Sequence, residues 1–266
     1  NIFKNKSRYT KNIYNKTRAI LKDFGYEISN NYDPNACLNL VIGGDGTFLN
    51  AVKLSKFSQI PFIGINTGHL GFYQEVNPDN IEDFVRRLSE KNYYMEKLAI
   101  LESNIGNNKI NAVNEVVVKS NRNQIVRLRL FIDGNFIENF SGDGLIISTP
   151  HGSTAYNLSS NGAILHQSLE GFQLTPIAPI FSSLNRSLKA PIILPKNAEI
   201  EINVSKRDNY HTVFLFDGKE YKTNSFKIST KISNKELKKL ILNKNHYWSN
   251  IKNKLLWFFL IIIYSQ

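Results

Sequence analysis

The chain has 266 residues, of which 42% are hydrophobic and 21% are charged, the balance of an ordinary soluble globular protein. Its single cysteine, Cys37, excludes an internal disulfide framework and fits a cytoplasmic location. The net charge of +11 favours anionic partners, but the basic residues are scattered and no basic stretch is interleaved with aromatic side chains, so we expect no nucleic-acid partner.

Residues 1–94 carry the pattern of an α/β domain. The predicted elements are a helix over residues 5–24, a strand over 38–42, a helix over 47–56, a strand over 61–65, and a helix that begins after Asn77-Pro78. Strands that alternate with helices predict a Rossmann-like parallel sheet with both faces covered.

Residues 95–232 are predicted to form an all-β domain. The predicted strands cover residues 94–105, 112–119, 125–132, 135–140, 145–148, 192–194, 200–204, 212–216 and 225–232. Asp133-Gly134 and Asp217-Gly218 are typical of tight turns between antiparallel strands.

Residues 233–266 are predicted to form a C-terminal segment that returns to the α/β domain. Within it, Leu255–Tyr264 is almost purely apolar, but it has about half the length that a bilayer-spanning helix needs. We therefore expect a buried segment or an oligomer contact there, and no membrane partner.

The first candidate site is the glycine loop Gly43–Thr47. Glycines let the backbone approach a phosphate, and the N–H groups of the following helix favour an anion. The loop is neither a Walker loop nor a G-x-G-x-x-G fingerprint. Asp45 is unusual there, since a carboxylate repels phosphate. It could hold Mg²⁺, accept a proton from an attacking hydroxyl, or cap the helix.

Three further segments carry polar groups. Asn66–Phe72 follows the second strand and should lie at the same sheet edge as the glycine loop. Asn114-Glu115 could contact a ribose or an amide. Gly142–Asn157 combines a buried strand with hydroxyls and free N–H groups that suit a pyrophosphate. No cluster has metal-cage spacing, so we expect the metal to be Mg²⁺ that arrives with the nucleotide.

In order and spacing, these four segments together resemble the NAD kinase family, over about residues 38–250. Gly-Gly-Asp-Gly alone is shared with diacylglycerol-type lipid kinases and phosphofructokinases, and Gly142–Asn157 narrows the resemblance to NAD kinases. The resemblance implies that ATP and a divalent metal are used to phosphorylate the 2′-hydroxyl of the adenosine ribose of NAD, which gives NADP. It also implies a β-sandwich-like second domain and a cytosolic homodimer or homotetramer.

The resemblance implies that Asp45 is the general base and that Gly46 lies beside the dinucleotide. The other implied NAD-binding residues are Asn114, Glu115, Asp143, Thr154, Ala155, Tyr156, Asn157, Leu158, Ser159, Ala178 and Lys219.

The chain departs from the family pattern at Ser141, where many members have an arginine. Arg127 or Arg129 could supply the missing cation. The opening strand is also short, since only Ile2 and Phe3 precede a polar run. Two rival functions stay open: a lipid kinase that shares the glycine loop, and a non-catalytic dinucleotide-binding module.

Overall fold

The computed structural model describes residues 1–68, 71–181, 187–244 and 246–252. The chain divides into two compact units: unit 1 comprises Asn1–Lys97 and the chain from Leu237 onward, and unit 2 comprises Leu98–Glu236. Together they form a mixed α/β protein with parallel and antiparallel sheets. His69, Leu70 and the apolar run Leu255–Tyr264 lie outside the described residues.

The strands of the described chain are, in order, β1 (Ile2–Lys4), β2 (Asn39–Gly43), β3 (Phe62–Asn66), β4 (Tyr94–Leu98), β5 (Leu101–Ile105), β6 (Asn108–Ala112), β7 (Glu115–Ser120), β8 (Val126–Ile132), β9 (Asn135–Gly142), β10 (Gly144–Ser148), β11 (Gly171–Ile177), β12 (Ile192–Pro195), β13 (Glu199–Val204), β14 (Thr212–Phe216), β15 (Lys219–Tyr221), β16 (Lys227–Ile232) and β17 (Leu237–Ile241). The α-helices are α1 (Arg8–Asp23), α2 (Asp45–Leu54), α3 (Ile81–Ser89), α4 (Tyr156–Ser159) and α5 (His246–Ile251), and 3₁₀ helices cover Pro78–Asn80, His151–Thr154 and Asn209–His211.

Helix α1 begins and ends at residues whose chemistry suits those places. The Ser7 side chain accepts a hydrogen bond from the N–H of Thr10, which caps the first turn. Gly25 has a φ of 81° and lets the chain leave the helix in the left-handed conformation. The predicted helix over residues 5–24 is confirmed with slightly narrower bounds.

Unit 1 is built on a five-stranded sheet with the order β1-β2-β3-β17-β4, in which β1–β2, β2–β3 and β3–β17 are parallel. Leu40 and Ile42 share one hydrophobic cluster with residues of α1 and α3. On the other face, the ring of Phe48 in α2 lies 5.7 Å from that of Phe62. Helices therefore cover both faces, as the alternation of strands and helices predicts.

Strand β17 brings a buried charge into this sheet. The Lys239 side chain is 3% exposed, and its ammonium lies 3.2 Å from a carboxylate oxygen of Glu96 and 3.8 Å from one of Glu75. Glu75 also accepts a hydrogen bond from the N–H of Leu242. A buried charge is costly unless it is paired, so these contacts are what allow Lys239 to occupy the sheet interior.

Unit 2 consists of two six-stranded sheets with the orders β12-β11-β10-β7-β14-β15 and β6-β5-β16-β13-β8-β9. Both sheets contribute to one hydrophobic core, with Val116 and Ile147 from the first and Leu128 and Phe140 from the second. Strand β8 shows the expected alternation, because Val126, Leu128 and Leu130 are buried while the arginines between them are exposed.

The two Asp-Gly turns are confirmed, since each aspartate and each glycine has a positive φ, as tight hairpins require. The single strand predicted over residues 94–105 is wrong, because β4 and β5 belong to different sheets. Within unit 2, strands β6, β11 and β15 were not predicted.

Candidate functional site

The glycine loop joins the end of β2 to the start of α2. At Gly43 a side chain would lie 2.3 Å from Oγ1 of Thr47, so this position is closed by packing. A side chain at Gly44 or Gly46 would meet nothing within 4 Å, so the backbone there is open. An open backbone at the start of a ten-residue helix suits a phosphate.

Asp45 is the first residue of α2, and its carboxylate bridges to the second loop. Oδ2 accepts a hydrogen bond from the N–H of Phe72 at 2.8 Å, and Oδ1 accepts one from the N–H of Tyr73 at 3.0 Å. Gly44 occupies the N-cap, so the helix-cap alternative for Asp45 is wrong. The side chain is half-buried, and its orientation is fixed by two backbone donors.

The second loop lies at the same sheet edge as the first, as expected. Gly43 and Asn66 are partners in the β2–β3 register, and the N–H of Thr67 donates to the carbonyl of Gly43. A side chain at Gly71 would lie 2.3 Å from Oδ1 of Asp45, so this glycine makes room for the carboxylate.

Asn114 and Glu115 lie just before and at the start of β7, and both are buried. Oδ1 of Asp217, in the second Asp-Gly turn, accepts hydrogen bonds from the N–H groups of Val113 at 2.9 Å and Asn114 at 2.7 Å. The exposed Lys219 follows this turn by one residue. The structure thus brings together two segments that are about 100 residues apart in the chain.

The fourth segment packs on the backbone of the third. The Thr149 hydroxyl donates to the carbonyl of Val113 at 2.7 Å, and the N–H of Thr149 donates to the carbonyl of Asn114. A side chain at Gly152 would lie 2.0 Å from that Asn114 oxygen, so only glycine fits. After β10 the chain forms a 3₁₀ turn and the short α4, and hydroxyls of this segment bond to nearby carbonyls.

Asn157 has no exposed surface, and its side-chain amide forms hydrogen bonds within unit 2. Its nitrogen donates to the carbonyls of Ser153 at 3.1 Å and Ala163 at 3.3 Å, and its oxygen accepts from the Thr175 hydroxyl at 2.7 Å. Its side chain therefore holds the turn in place. By contrast, Ser159 is exposed, and Thr154, Ala155, Tyr156 and Leu158 are half-buried.

Asp143 and Tyr156 line one surface cleft of unit 2, with a volume of about 240 Å³. The same cleft contains two basic residues, Lys119 and Arg122, that lie outside the four segments identified from the sequence. The Lys119 ammonium lies 5.6 Å from the centroid of the Tyr156 ring. Strand alternation was the signal that could have found Lys119, because it lies four residues after Glu115 on the same face of β7.

Ala178 is exposed and has a φ of 42°, an uncommon conformation for a residue with a side chain. The N–H of Asp143 donates to the carbonyl of Ile177, and a side chain at Gly142 would lie 2.8 Å from the carbonyl of Ala178. Ala178 is therefore next to Asp143 in space, although 35 residues separate them.

Ser141 lies directly opposite Arg127 in the β8–β9 register. The Arg127 guanidinium is paired with the buried Asp208 at 3.0 Å, and that of Arg129 lies over the rings of Phe131 and Phe136. Both arginines that could replace the family cation are thus already in contact with other groups.

The implied site residues form two groups. Asp45 and Gly46 belong to unit 1, and all the others belong to unit 2. Within the described residues, no group of three or more His, Cys, Asp or Glu side chains is arranged to hold a metal ion. In that same part of the chain, no helix has both the length and the apolar character needed to cross a bilayer.

Comparisons with known proteins identify the family of the chain. The family model of the ATP-NAD kinase N-terminal domain matches residues 3–93, and that of the ATP-NAD kinase C-terminal domain matches residues 113–242. The NAD kinase of Finegoldia magna is 43% identical over 255 residues, which cover 91% of this chain and 93% of that protein. The NAD kinase of Leuconostoc mesenteroides is 31% identical over 95% of this chain and 96% of that protein.

Two crystal structures share the fold. Yeast NADH kinase complexed with NADH has a TM-score of 0.80 at 22% identity, with 97% of this chain and 86% of that chain covered. An NAD kinase from Archaeoglobus fulgidus in complex with ATP has a TM-score of 0.76 at 25% identity, with 95% and 96% covered. With both domain models matched in order and a relative this similar over nearly its whole length, the chain belongs to the NAD kinase family of enzymes.

Proposed function

We propose that this enzyme transfers the γ-phosphoryl group of ATP to the 2′-hydroxyl of the adenosine ribose of NAD, with Asp45 as the general base. The bond between the ribose oxygen and phosphorus forms, the bond to the β-phosphate oxygen breaks, and the hydroxyl proton passes to the Asp45 carboxylate. The observation that carries the proposal is the half-buried Asp45 carboxylate, fixed by two backbone N–H groups beside the open backbone of Gly44 and Gly46.

The bound molecules of the related structures support the choice of substrates. The archaeal NAD kinase was crystallised with ATP and the yeast NADH kinase with NADH. Phosphoryl transfer depends mainly on positioning and charge neutralisation, and backbone N–H groups at the start of α2 can contribute to both.

We propose that NAD is bound by the residues that the family resemblance implies. The binding residues in this proposal are Gly46, Asn114, Glu115, Asp143, Thr154, Ala155, Tyr156, Leu158, Ser159, Ala178 and Lys219. Asn157 acts differently, because its buried amide holds the turn that presents Tyr156 and Thr154. Its replacement should therefore weaken binding through the position of the turn.

A divalent cation, Mg²⁺ in our proposal, enters with the triphosphate, whose oxygens are the ligands that this ion prefers. When bound, it neutralises charge that develops on the phosphates. Among the described residues, Asp45 is the carboxylate in the glycine loop, and its two oxygens already accept hydrogen bonds. We therefore assign Asp45 to the proton and no protein side chain to the metal.

The direct test is to incubate purified protein with ATP, Mg²⁺ and NAD and to detect NADP with an NADP-dependent dehydrogenase. NADH in place of NAD measures the preference for the oxidised form. Labelled ATP with diacylglycerol tests the lipid-kinase rival, and NADP binding without ATP-dependent product would indicate the non-catalytic rival. Absence of NADP formation by folded protein would refute the proposal.

Replacement of Asp45 by Asn tests the role of the carboxylate. We expect turnover to fall by about 10²- to 10⁴-fold, the usual contribution of a general base. Asn keeps one acceptor for the Phe72 and Tyr73 N–H groups, so the protein should still fold. Its free energy of unfolding should fall by about 1–2 kcal/mol. The matched control is Asp79→Asn, an exposed aspartate of unit 1, which should leave activity unchanged.

We also propose that the enzyme is a cytoplasmic homodimer or homotetramer, as the family resemblance implies. Analytical ultracentrifugation of the purified protein checks the assembly size. A monomer at micromolar concentration would contradict it.

A further inference from the structure

The cleft around Tyr156 contains a cation whose placement suggests a function. Glu115, Val117 and Lys119 alternate with the core residues Val116 and Val118 of β7, so they lie on the face of the sheet away from the core. On the same face, Gln173 and Thr175 hold the turn that contains Asn157. Lys119 therefore shares a surface with the segment that we propose binds NAD.

Gly144 leaves space for Lys119. The two residues are direct partners in the antiparallel β7–β10 register. A side chain at Gly144 would lie 2.6 Å from Cβ of Lys119 and 2.4 Å from the carbonyl oxygen of Val118, so any larger residue would displace the strand or the lysine. Gly144, which follows Asp143, thus leaves room for the aliphatic part of the Lys119 side chain.

The Lys119 ammonium is not neutralised by the protein. Among the described residues, no carboxylate lies within ion-pair distance of it, although Asp143 lines the same cleft. The cleft contains two cations, Lys119 and Arg122, and one carboxylate, Asp143, so its formal charge is +1. The Arg122 guanidinium lies over the Tyr210 ring at 5.3 Å, and the Lys119 ammonium lies beside the Tyr156 ring.

An ammonium without a carboxylate partner, 5.6 Å from the centre of a half-buried aromatic ring, suits a ligand that combines a flat ring with a phosphate. A dinucleotide has both. We infer that Lys119 is a substrate-binding residue that contacts a phosphate of the diphosphate bridge of NAD, in the cleft that Tyr156 and Asp143 line. This inference rests on the proposed function.

The test compares Lys119→Met with the wild type and with Lys119→Arg, in the NADP-formation assay. Loss of a charge-assisted contact should raise the KM for NAD by about 10- to 100-fold, with kcat and the KM for ATP within about twofold. The arginine variant should recover most of the affinity, and the KM for NAD should depend less on salt in the methionine variant. Lys222→Met, which removes an exposed lysine of the same unit, is the charge-matched control.

The outcomes separate the two proposals. If the wild type forms no NADP, the proposed function fails. If it forms NADP and Lys119→Met keeps its KM for NAD, the inference about Lys119 is wrong. A parallel rise in the KM for ATP, or the same rise in Lys222→Met, would also overturn it, since either would indicate a general charge effect. If Lys119→Met is inactive, circular dichroism checks that the variant is folded, and calorimetric titration with NAD measures its affinity for NAD directly.

Discussion

The glycine loop at the start of α2 leaves its carboxylate half-exposed, whereas the turn after β10 buries several of its polar side chains completely. Asp45 is held by two backbone N–H groups and faces an open backbone. Thr149, Ser153 and Asn157 have no exposed surface and bond to nearby carbonyls, hydroxyls and N–H groups of unit 2. In our proposal, one motif thus presents the reactive group, while much of the other supports a binding surface. Substitutions in the first should change rates, and substitutions in the second should change stability.

The largest expected effect is on stability and comes from Gly152→Ala. The new methyl would lie 2.0 Å from the carbonyl oxygen of Asn114. A backbone carbonyl cannot move aside as the end of a flexible side chain can. We expect a loss above the roughly 1–3 kcal/mol typical of overpacking, or no soluble protein. Gly44→Ala is the matched change in the other loop, where nothing lies within 4 Å, and urea unfolding of both measures the difference. Equal losses at the two glycines would contradict the comparison.

Asn157→Ala should lower the free energy of unfolding by about 3 kcal/mol, because it leaves a small cavity and unpaired groups at Ser153 and Thr175. Ser159→Ala, on the exposed side of the same short helix, should stay within about 0.5 kcal/mol. Thermal unfolding measures both. A neutral result for Asn157→Ala would show that the buried network contributes little to the fold.

The smallest of the three effects is on rate and comes from Gly71→Ala. The methyl would lie 2.3 Å from Oδ1 of Asp45, and the carboxylate can rotate away only by losing its hydrogen bonds to the N–H groups of Phe72 and Tyr73, so the free energy of unfolding should fall by about 1–2 kcal/mol. Turnover should fall by about tenfold as the base leaves its position. In a double mutant with Asp45→Asn, the effect of Gly71→Ala on turnover should vanish, because no carboxylate remains to be displaced. Additive losses would mean that Gly71 acts on something other than Asp45.

Local chemistry predicted much of the fold. The capped helix α1, the strand–loop–helix around Asp45 and the two Asp-Gly turns follow from residue types that need no distant partner. Strand β17 was missed because Lys238 and Lys239 obscure its pattern, and the burial of Lys239 depends on Glu75 and Glu96 far away in the chain.

The candidate site was predictable as a set of segments but not as a set of contacts. The Asp45 carboxylate is held from residues 27 and 28 positions further along the chain, which no local pattern reveals. Asn157 belongs to the motif, yet burial against Thr175 turns its amide inward. Lys119 was missed for a similar reason, since its position beside Asp143 depends on strand register with Gly144.

The insertion of β17 between β3 and β4 has a consequence for synthesis on the ribosome. Unit 2 is continuous in sequence, so it can fold as soon as Glu236 has emerged, whereas unit 1 must wait for Leu237–Ile241. At about 5–20 residues per second, the residues between Lys97 and Leu237 take roughly 7–28 s to translate. During that time the nascent unit 1 has unpaired edges at β3 and β4 and lacks the cation for Glu75 and Glu96, which makes it a candidate for chaperone capture.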